Sequence, residues 1–254
     1  MNGMNGEIEA AKLLRSAKCV TVLTGAGVSK ESGIPTFRDA LTGLWAQYDP
    51  EKLATAQGFL ENPALVWQWY DGRRQLLAQV KPNAGHFALV ELEKMVGRLT
   101  IITQNVDGLH RLAGSSSICE LHGNIANIKC FDANHPASDI PFGLKEPPTC
   151  FCGSKLRPDV VWFGELLPEF QLAQAVQAAG KTDLMLVIGT SGLVYPAASL
   201  PYLASQHGAR IIEINPEKTP ITPITHLFLQ GPSAQILPAI VSALIEMDDE
   251  KPIA

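Results

Sequence analysis

The chain has 254 residues, 46% of them hydrophobic, with a formal net charge of −5 and a pI near 5.7. That is enough to bury a full core as one domain with a smaller insertion; no basic face is implied, so nucleic acid is not an expected partner. No apolar run reaches about 18 residues, so no membrane contact is expected. Met1–Glu7 has no charged and apolar signal pattern, and five cysteines, an odd count, fit a reducing, cytoplasmic setting better than a disulfide scaffold.

Apolar runs alternate with helix-like segments, and Gly and Pro mark the joins. The sequence predicts helices at 7–17, 59–79, 84–97, 168–180 and 233–246. It predicts strands at 19–24, 99–103, 184–189, 210–214 and 226–230. This order is that of an α/β fold: a Rossmann-like parallel sheet with helices on both faces, plus a small inserted module. The sheet domain is expected to be discontinuous, over 1–38, 81–126 and 161–254. Residues 39–80 form a helical insertion, and 127–160, rich in Pro, Asp and Cys, form the small module.

The first strand runs into Gly25-Ala26-Gly27, a turn through which backbone amides can approach a dinucleotide phosphate. A third fingerprint glycine is missing, since position 30 is Lys30, so a plain strand-turn-helix remains the alternative. Ser32-Gly33-Ile34-Pro35 stops any helix early, and the loop goes on to Phe37, Arg38 and Asp39. Arg38 can meet a phosphate and Phe37 can shield a reactive sugar carbon; the bland reading is a surface Arg–Asp pair and a core Phe.

Tyr70 and Arg73, three apart, share a helix face, and a phenol with a guanidinium suits a carboxylate. By spacing alone such a pair is usually a solvated face. Arg74 points about 100° away, so its replacement is expected to be mild.

Gln104, Asn105 and Asp107 follow a strand's carboxyl end, where open α/β sheets bind ligands. Asn105 and Asp107 can hold an amide and a ribose, or merely make a turn. His122, in Leu-His-Gly-Asn, is either a structural histidine or a general base. Gly189, Thr190 and Ser191 end the next strand with hydroxyls suited to phosphate or ribose, and Asn215 and Glu217 end the one after with groups suited to ribose.

The stretch from Gly25 to Asp39 resembles the sirtuins, the NAD-dependent protein-lysine deacylases, nearly letter for letter. So do Thr103–His110, Glu120–Asn124 and Leu156–Glu165, and the resemblance covers roughly residues 7–245. It implies an enzyme that binds NAD and acylated lysine side chains of proteins, transferring the acyl group to ADP-ribose with release of nicotinamide. It implies His122 as the base that activates a ribose hydroxyl, with Asn105 and Asp107 beside it. It carries Ala26, Ile34, Pro35 and Ser233 into the NAD site. It also implies that Val161, Phe163, Gly164, Glu165 and Val194 flank the substrate peptide as an added strand. Tyr-x-x-Arg at Tyr70/Arg73 resembles the class III members, which remove succinyl, malonyl or related acidic groups. The rivals are a plain deacetylase, an ADP-ribosyltransferase and a non-catalytic NAD-sensing module.

Most sirtuins hold a structural zinc with two Cys-x-x-Cys pairs. Here the first pair keeps only Cys130, because position 133 is Ala133; the second is Cys150-Phe151-Cys152. His135 or Asp132 can supply a fourth ligand, or packing alone holds the module. The expectation from this broken pattern is sub-stoichiometric zinc and resistance to chelators.

Overall fold

The computed structural model describes residues 4–34 and 53–249. Helix α1 (Met4–Ser16) leads into β1 (Val20–Thr24) and a 3₁₀ turn at Ala26–Ser32. Helices α2 (Ala56–Glu61), α3 (Pro63–Leu77) and α4 (Ala84–Met95) precede β2 (Leu99–Thr103), α5 (Leu109–Ala113) and β3 (Ile118–Glu120). Strands β4 (Gly123–Cys130), β5 (Pro136–Ala137) and β6 (Leu156–Val160) come next, then α6 (Glu169–Gly180) and β7 (Leu184–Ile188). The chain ends through α7 (Leu200–Gln206), β8 (Arg210–Asn215), β9 (Leu227–Gln230) and α8 (Ser233–Asp249).

Six strands form one parallel sheet in the order β3-β2-β1-β7-β8-β9. Every residue of β1 and β7 is buried, as a parallel strand covered on both faces requires. Val22, Leu186 and Ile212 meet α1, α4 and α8 on one face through Leu14, Leu92 and Ile240. Leu23, Val187 and Ile211 meet α6 and α7 on the other through Ala179 and Leu200. The expected doubly covered parallel sheet is thus observed. From β1 the chain goes to β2 on one side and later returns as β7 on the other. The switch point of the sheet therefore lies between the ends of β1 and β7, where such sheets bind ligands.

A second, antiparallel sheet has the order β5-β4-β6 and begins at Gly123, directly after His122. Helices α2 and α3 pack on it through Phe59, Val66 and Tyr70 against Ile125, Val160 and Trp162. Trp67 on α3 reaches Ile128 and Leu156. The helix expected at 59–79 is two helices. Asn62 Oδ1 accepts the Leu65 N–H at 3.1 Å as the cap of α3, and Pro63 follows at the first helical position. Proline there starts a helix well and cannot continue the preceding one. Strand β3, three residues paired with Ile101–Thr103, was not foreseen.

Arg74 also departs from expectation. It is buried, and its Nη1 donates to Asp71 Oδ1 at 3.0 Å. Asp71 Oδ2 accepts from Gln75 Nε2 at 2.8 Å and from the Gly143 N–H at 2.7 Å. The guanidinium lies over the Phe142 ring, 4.9 Å from its centroid. This pair fastens α3 to the 140–143 segment of the small module. Arg74→Met would leave a buried carboxylate without its cation. We expect it to cost about 3 kcal/mol of stability, read as a lowered denaturant midpoint.

Candidate active site

The carboxyl ends of β1, β7 and β8 are laced together. Gly25 N–H donates to the Ile188 carbonyl at 3.0 Å, Gly27 N–H to Gly189 at 2.8 Å, and Gly189 N–H to Ile214 at 3.0 Å. A Cβ on Gly25 would stand 2.8 Å from the Gly189 oxygen, and one on Gly27 would stand 2.7 Å from Gly189 Cα. The Gly-x-Gly pattern therefore answers first to the contact between two turns, which sets the floor of the pocket. Gly189 itself has φ +59, and a Cβ there would lie 2.5 Å from Val28 N.

Polar side chains converge over that floor. Gln104 Nε2 donates to Thr190 Oγ1 at 2.9 Å, and Asn215 Nδ2 donates to the Thr190 carbonyl at 2.8 Å. Ser29 Oγ donates to Asp107 Oδ2 at 2.7 Å and receives Asn105 Nδ2 at 3.2 Å. Asp107 Oδ1 accepts the Leu109 N–H at 2.9 Å, so the carboxylate starts α5 as well as holding Ser29. Burial holds the Asp107 carboxyl above its usual range, against the pull of Leu109, Ser29 and Asn105. Ser191 lies in the turn after β7, part-buried, and Glu217 is exposed just beyond β8. Ser233 opens α8, buried, with its hydroxyl unpartnered. Ala26 and Ile34 bound the 3₁₀ turn and its exit; Pro35, Phe37 and Arg38 lie outside the described residues. The residues present fit a dinucleotide, with backbone turns from adjacent parallel strands at the switch point and an unpartnered buried hydroxyl, Ser233, after the edge strand β9.

His122 Nδ1 lies 2.9 Å from the Gln104 carbonyl oxygen. A carbonyl only accepts, so Nδ1 carries the hydrogen and Nε2 presents the lone pair. Burial pulls the imidazole pKa below its usual value, opposed by that carbonyl, and keeps the ring neutral and basic near pH 7. The next residue is Gly123, with φ +79; a Cβ there would fall 2.1 Å from the Asp159 oxygen. Val161 N–H donates to the His122 carbonyl at 2.9 Å. The base and the 161–165 segment are therefore joined by backbone.

Phe163 N–H donates to the Ala54 carbonyl at 2.9 Å, and Phe163 and Val194 are each about half exposed. Gly164 turns the chain at φ +85. Glu165 faces inward: it pairs with Arg157 through both oxygens, Oε2 receiving Nη2 at 3.0 Å, and it accepts the Trp162 N–H at 2.8 Å. Its observed contacts are with the protein, so its expected place against the peptide gives way to one behind it. The Arg157 guanidinium lies 3.2 Å from the Trp162 ring centroid. Trp162 Nε1 in turn donates to Tyr70 Oη at 2.9 Å. Arg73, one helical turn on from Tyr70, lies over the Trp69 ring at 4.9 Å and has no carboxylate partner among the described residues.

In the small module, Cys130, His135, Cys150 and Cys152 place one ligand atom each, all within 4.8 Å of one another. Cys130 Sγ is 3.4 Å from Cys152 Sγ, and Cys150 Sγ is 3.6 Å from His135 Nδ1. Bond lengths of zinc to sulfur and nitrogen put tetrahedral ligand atoms about 3.5–3.8 Å apart, so the set fits zinc. The Ala133 N–H donates to Cys130 and holds that thiol at about 6, toward the thiolate a metal needs. The ligand geometry thus favours a zinc site where the broken cysteine spacing argued for a zinc-poor module. Asn134, with φ +54, turns the chain so that His135 fills the place that Ala133 leaves. Zinc there would staple β4 to the 150–155 knuckle. The purified protein should carry about one zinc per chain, and Cys150→Ser should lose it and melt lower. Elemental analysis well below one equivalent would refute the assignment.

Comparison with known proteins places this constellation. The Sir2 family model matches residues 25–196. The chain belongs to the Sir2 family. An NAD-dependent protein deacylase of Pyrococcus abyssi is 49% identical over 241 residues, 92% of this chain and 96% of that one. One of Mycobacterium tuberculosis is 46% identical, over 89% and 97%. Among solved structures, a Sir2 homolog–NAD complex superposes with a TM-score of 0.90 at 42% identity, covering 94% of each chain. A Sir2–p53 peptide–NAD⁺ structure gives 0.81 at 30% identity, covering 92% and 96%. In this Sir2 chain the residues named from sequence for NAD and base gather at one end of the sheet, so far as they are described. The role of Trp162 as partner to Tyr70 was not foreseen; of the two fourth ligands expected, His135 and Asp132, it is His135 that joins the three cysteines.

Proposed function

We propose that the chain is an NAD-dependent protein-lysine deacylase that favours acyl groups ending in a carboxylate, succinyl and malonyl, with acetyl a lesser substrate. NAD, when bound, supplies a labile bond between nicotinamide and ribose and accepts the acyl group on ADP-ribose. The chain's own residues do the rest. The turns after β1, β7 and β8 hold the dinucleotide, and Asn105 and Ser29 line the pocket with Asp107. His122 takes a ribose hydroxyl proton at Nε2, while its Nδ1–H stays anchored on the Gln104 carbonyl. The 161–163 segment and Val194 flank the acylated peptide, which adds by backbone pairing.

The acyl preference is carried by the hydrogen bond from Trp162 to Tyr70. An indole N–H only donates, so the phenol oxygen accepts and its own hydrogen is left to point elsewhere. Burial pushes the Tyr70 pKa up to about 12, so the phenol stays a neutral donor. Arg73 beside it remains a cation although burial pulls its pKa down. A neutral donor and a cation together suit an anionic tail and offer acetyl nothing extra.

The test is incubation with NAD and matched acetyl-, malonyl- and succinyl-lysine peptides. Mass spectrometry reads nicotinamide and O-acyl-ADP-ribose. Higher kcat/KM for the acidic groups is expected. A preference for acetyl would overturn the acyl assignment, and absence of nicotinamide release with every peptide would overturn the deacylase.

A further inference from the structure

Two buried histidines lie behind the pocket, outside the chemistry above. His86 on α4 and His110 on α5 have ring centroids 4.8 Å apart, tilted by 56°. His86 Nδ1 lies 3.3 Å from the Asn83 backbone N–H, which only donates, so a neutral His86 carries its hydrogen on Nε2. That Nε2–H is buried and unpartnered, and so is His110 Nδ1 on the neighbouring ring. His110 Nε2 is 3.0 Å from Thr24 Oγ1, which is 2.8 Å from Thr103 Oγ1, which accepts the Asn105 N–H at 3.0 Å.

Two polarities satisfy the hydroxyls. If Thr24 donated to His110, that ring would carry its hydrogen on Nδ1, and two buried N–H groups on adjacent rings would both lack an acceptor. If His110 Nε2–H donates to Thr24, one unpartnered donor adjoins one unpartnered acceptor. A buried donor left without an acceptor is the costlier state, so the second polarity wins. Burial also keeps both rings neutral, pulling His86 to about 4 and His110 to about 3.

We infer that His86 and His110 form a one-way hydrogen-bond relay. It runs from His86 Nε2–H to His110 Nδ1 and from His110 Nε2–H to Thr24, and it positions the turns after β1 and β2 for NAD. The relay begins at Asn83, whose Nδ2 donates to the Val28 carbonyl at 2.9 Å and to Ser32 Oγ at 3.0 Å. It ends at the Asn105 backbone. The 3₁₀ turn, Thr24 and the Asn105 loop are thereby held by one polar chain. The polarity is the same whether the step between the rings is direct or passes through one enclosed water. His86 and His110 act here as positioning residues; neither is placed against substrate.

Imidazole ¹⁵N NMR on the full chain at pH 7 tests the polarity without a variant. Both rings should be neutral Nε2–H tautomers, and an Nδ1–H ring at either position overturns the relay. Kinetics test its purpose, which rests on the NAD reading above. His86→Phe should raise KM for NAD about tenfold, the worth of one net hydrogen bond, while kcat changes much less. His86→Gln, which keeps a donor near Nε2, should recover most of that loss. The His86→Phe/His110→Phe double variant should be no worse than the poorer single variant. Fully additive losses, or an unchanged KM in folded variants, would overturn the positioning role. A wild-type chain that fails to bind NAD while showing both Nε2–H tautomers would instead overturn the NAD reading.

Discussion

His122→Ala is expected to lower turnover by about 10²–10⁴-fold on every acyl peptide, the usual loss for a general base. NAD affinity and the melting temperature should change little, because among the described residues the ring makes a single bond, from Nδ1 to the Gln104 carbonyl. That bond fixes which nitrogen is basic, and burial lowers the affinity of the ring for a proton. The active form is the unprotonated one. As pH falls, kcat/KM should therefore hold until it passes the folded pKa, which lies under the ordinary histidine value of about 6.5. Below it, kcat/KM should drop tenfold per pH unit. Steady-state kinetics from pH 5 to 8 with a saturating peptide would show this limb, and His122→Ala should lack it. Wild-type turnover in the variant would sink the mechanism.

The parts of the fold that were legible in the sequence are those with the strongest periodic signal. Leu184–Ile188 and Val20–Thr24 are central strands buried on both faces; the first reads as an unbroken apolar run and the second as a β-branched run with threonines at 21 and 24. Ile118–Glu120 did not read as a strand. It is three residues long, follows Ser115-Ser116-Ser117, and pairs only at the sheet edge. The helix run at 59–79 hid its break because apolar spacing continues across Asn62-Pro63; the capping residues there were the missed signal.

The candidate NAD and base residues stand out as long words of sequence, although the physical reason for Gly25 and Gly27 does not. Their tightest neighbours are the atoms of Gly189 and Thr190, brought close only by the sheet order. The choice between His135 and Asp132 as fourth ligand was not legible, because spacing along the chain does not say what reaches the cluster; a left-handed turn at Asn134 brings His135 to it. Arg74 escaped because helical angle alone places it away from Tyr70. It does not say that Asp71 and Gly143 wait on that side.

Arg73→Met should separate the acidic-acyl reading from a plain deacetylase. A succinyl or malonyl tail brings a carboxylate into a region walled by Trp69, Tyr70 and Trp162, where an unpaired charge is costly. Arg73 is a cation with no carboxylate partner among the described residues, so a substrate carboxylate meets no rival among them. Removing it should cost roughly 2–5 kcal/mol of binding to the acidic tail, some tens to thousands in kcat/KM. Deacetylation should change by less than about threefold, since acetyl offers no charge to pair. Tyr70→Phe should move selectivity the same way but less, because a neutral donor is lost rather than a cation. Arg74 provides no substitute, being committed to Asp71 at 3.0 Å. Arg74→Met should instead lower stability and leave the succinyl-to-acetyl ratio of the folded enzyme unchanged. The measurement is that ratio of kcat/KM for each variant against wild type. Equal loss on both substrates in Arg73→Met would remove the clamp and leave a deacetylase whose Tyr70 serves only to pack against Trp162.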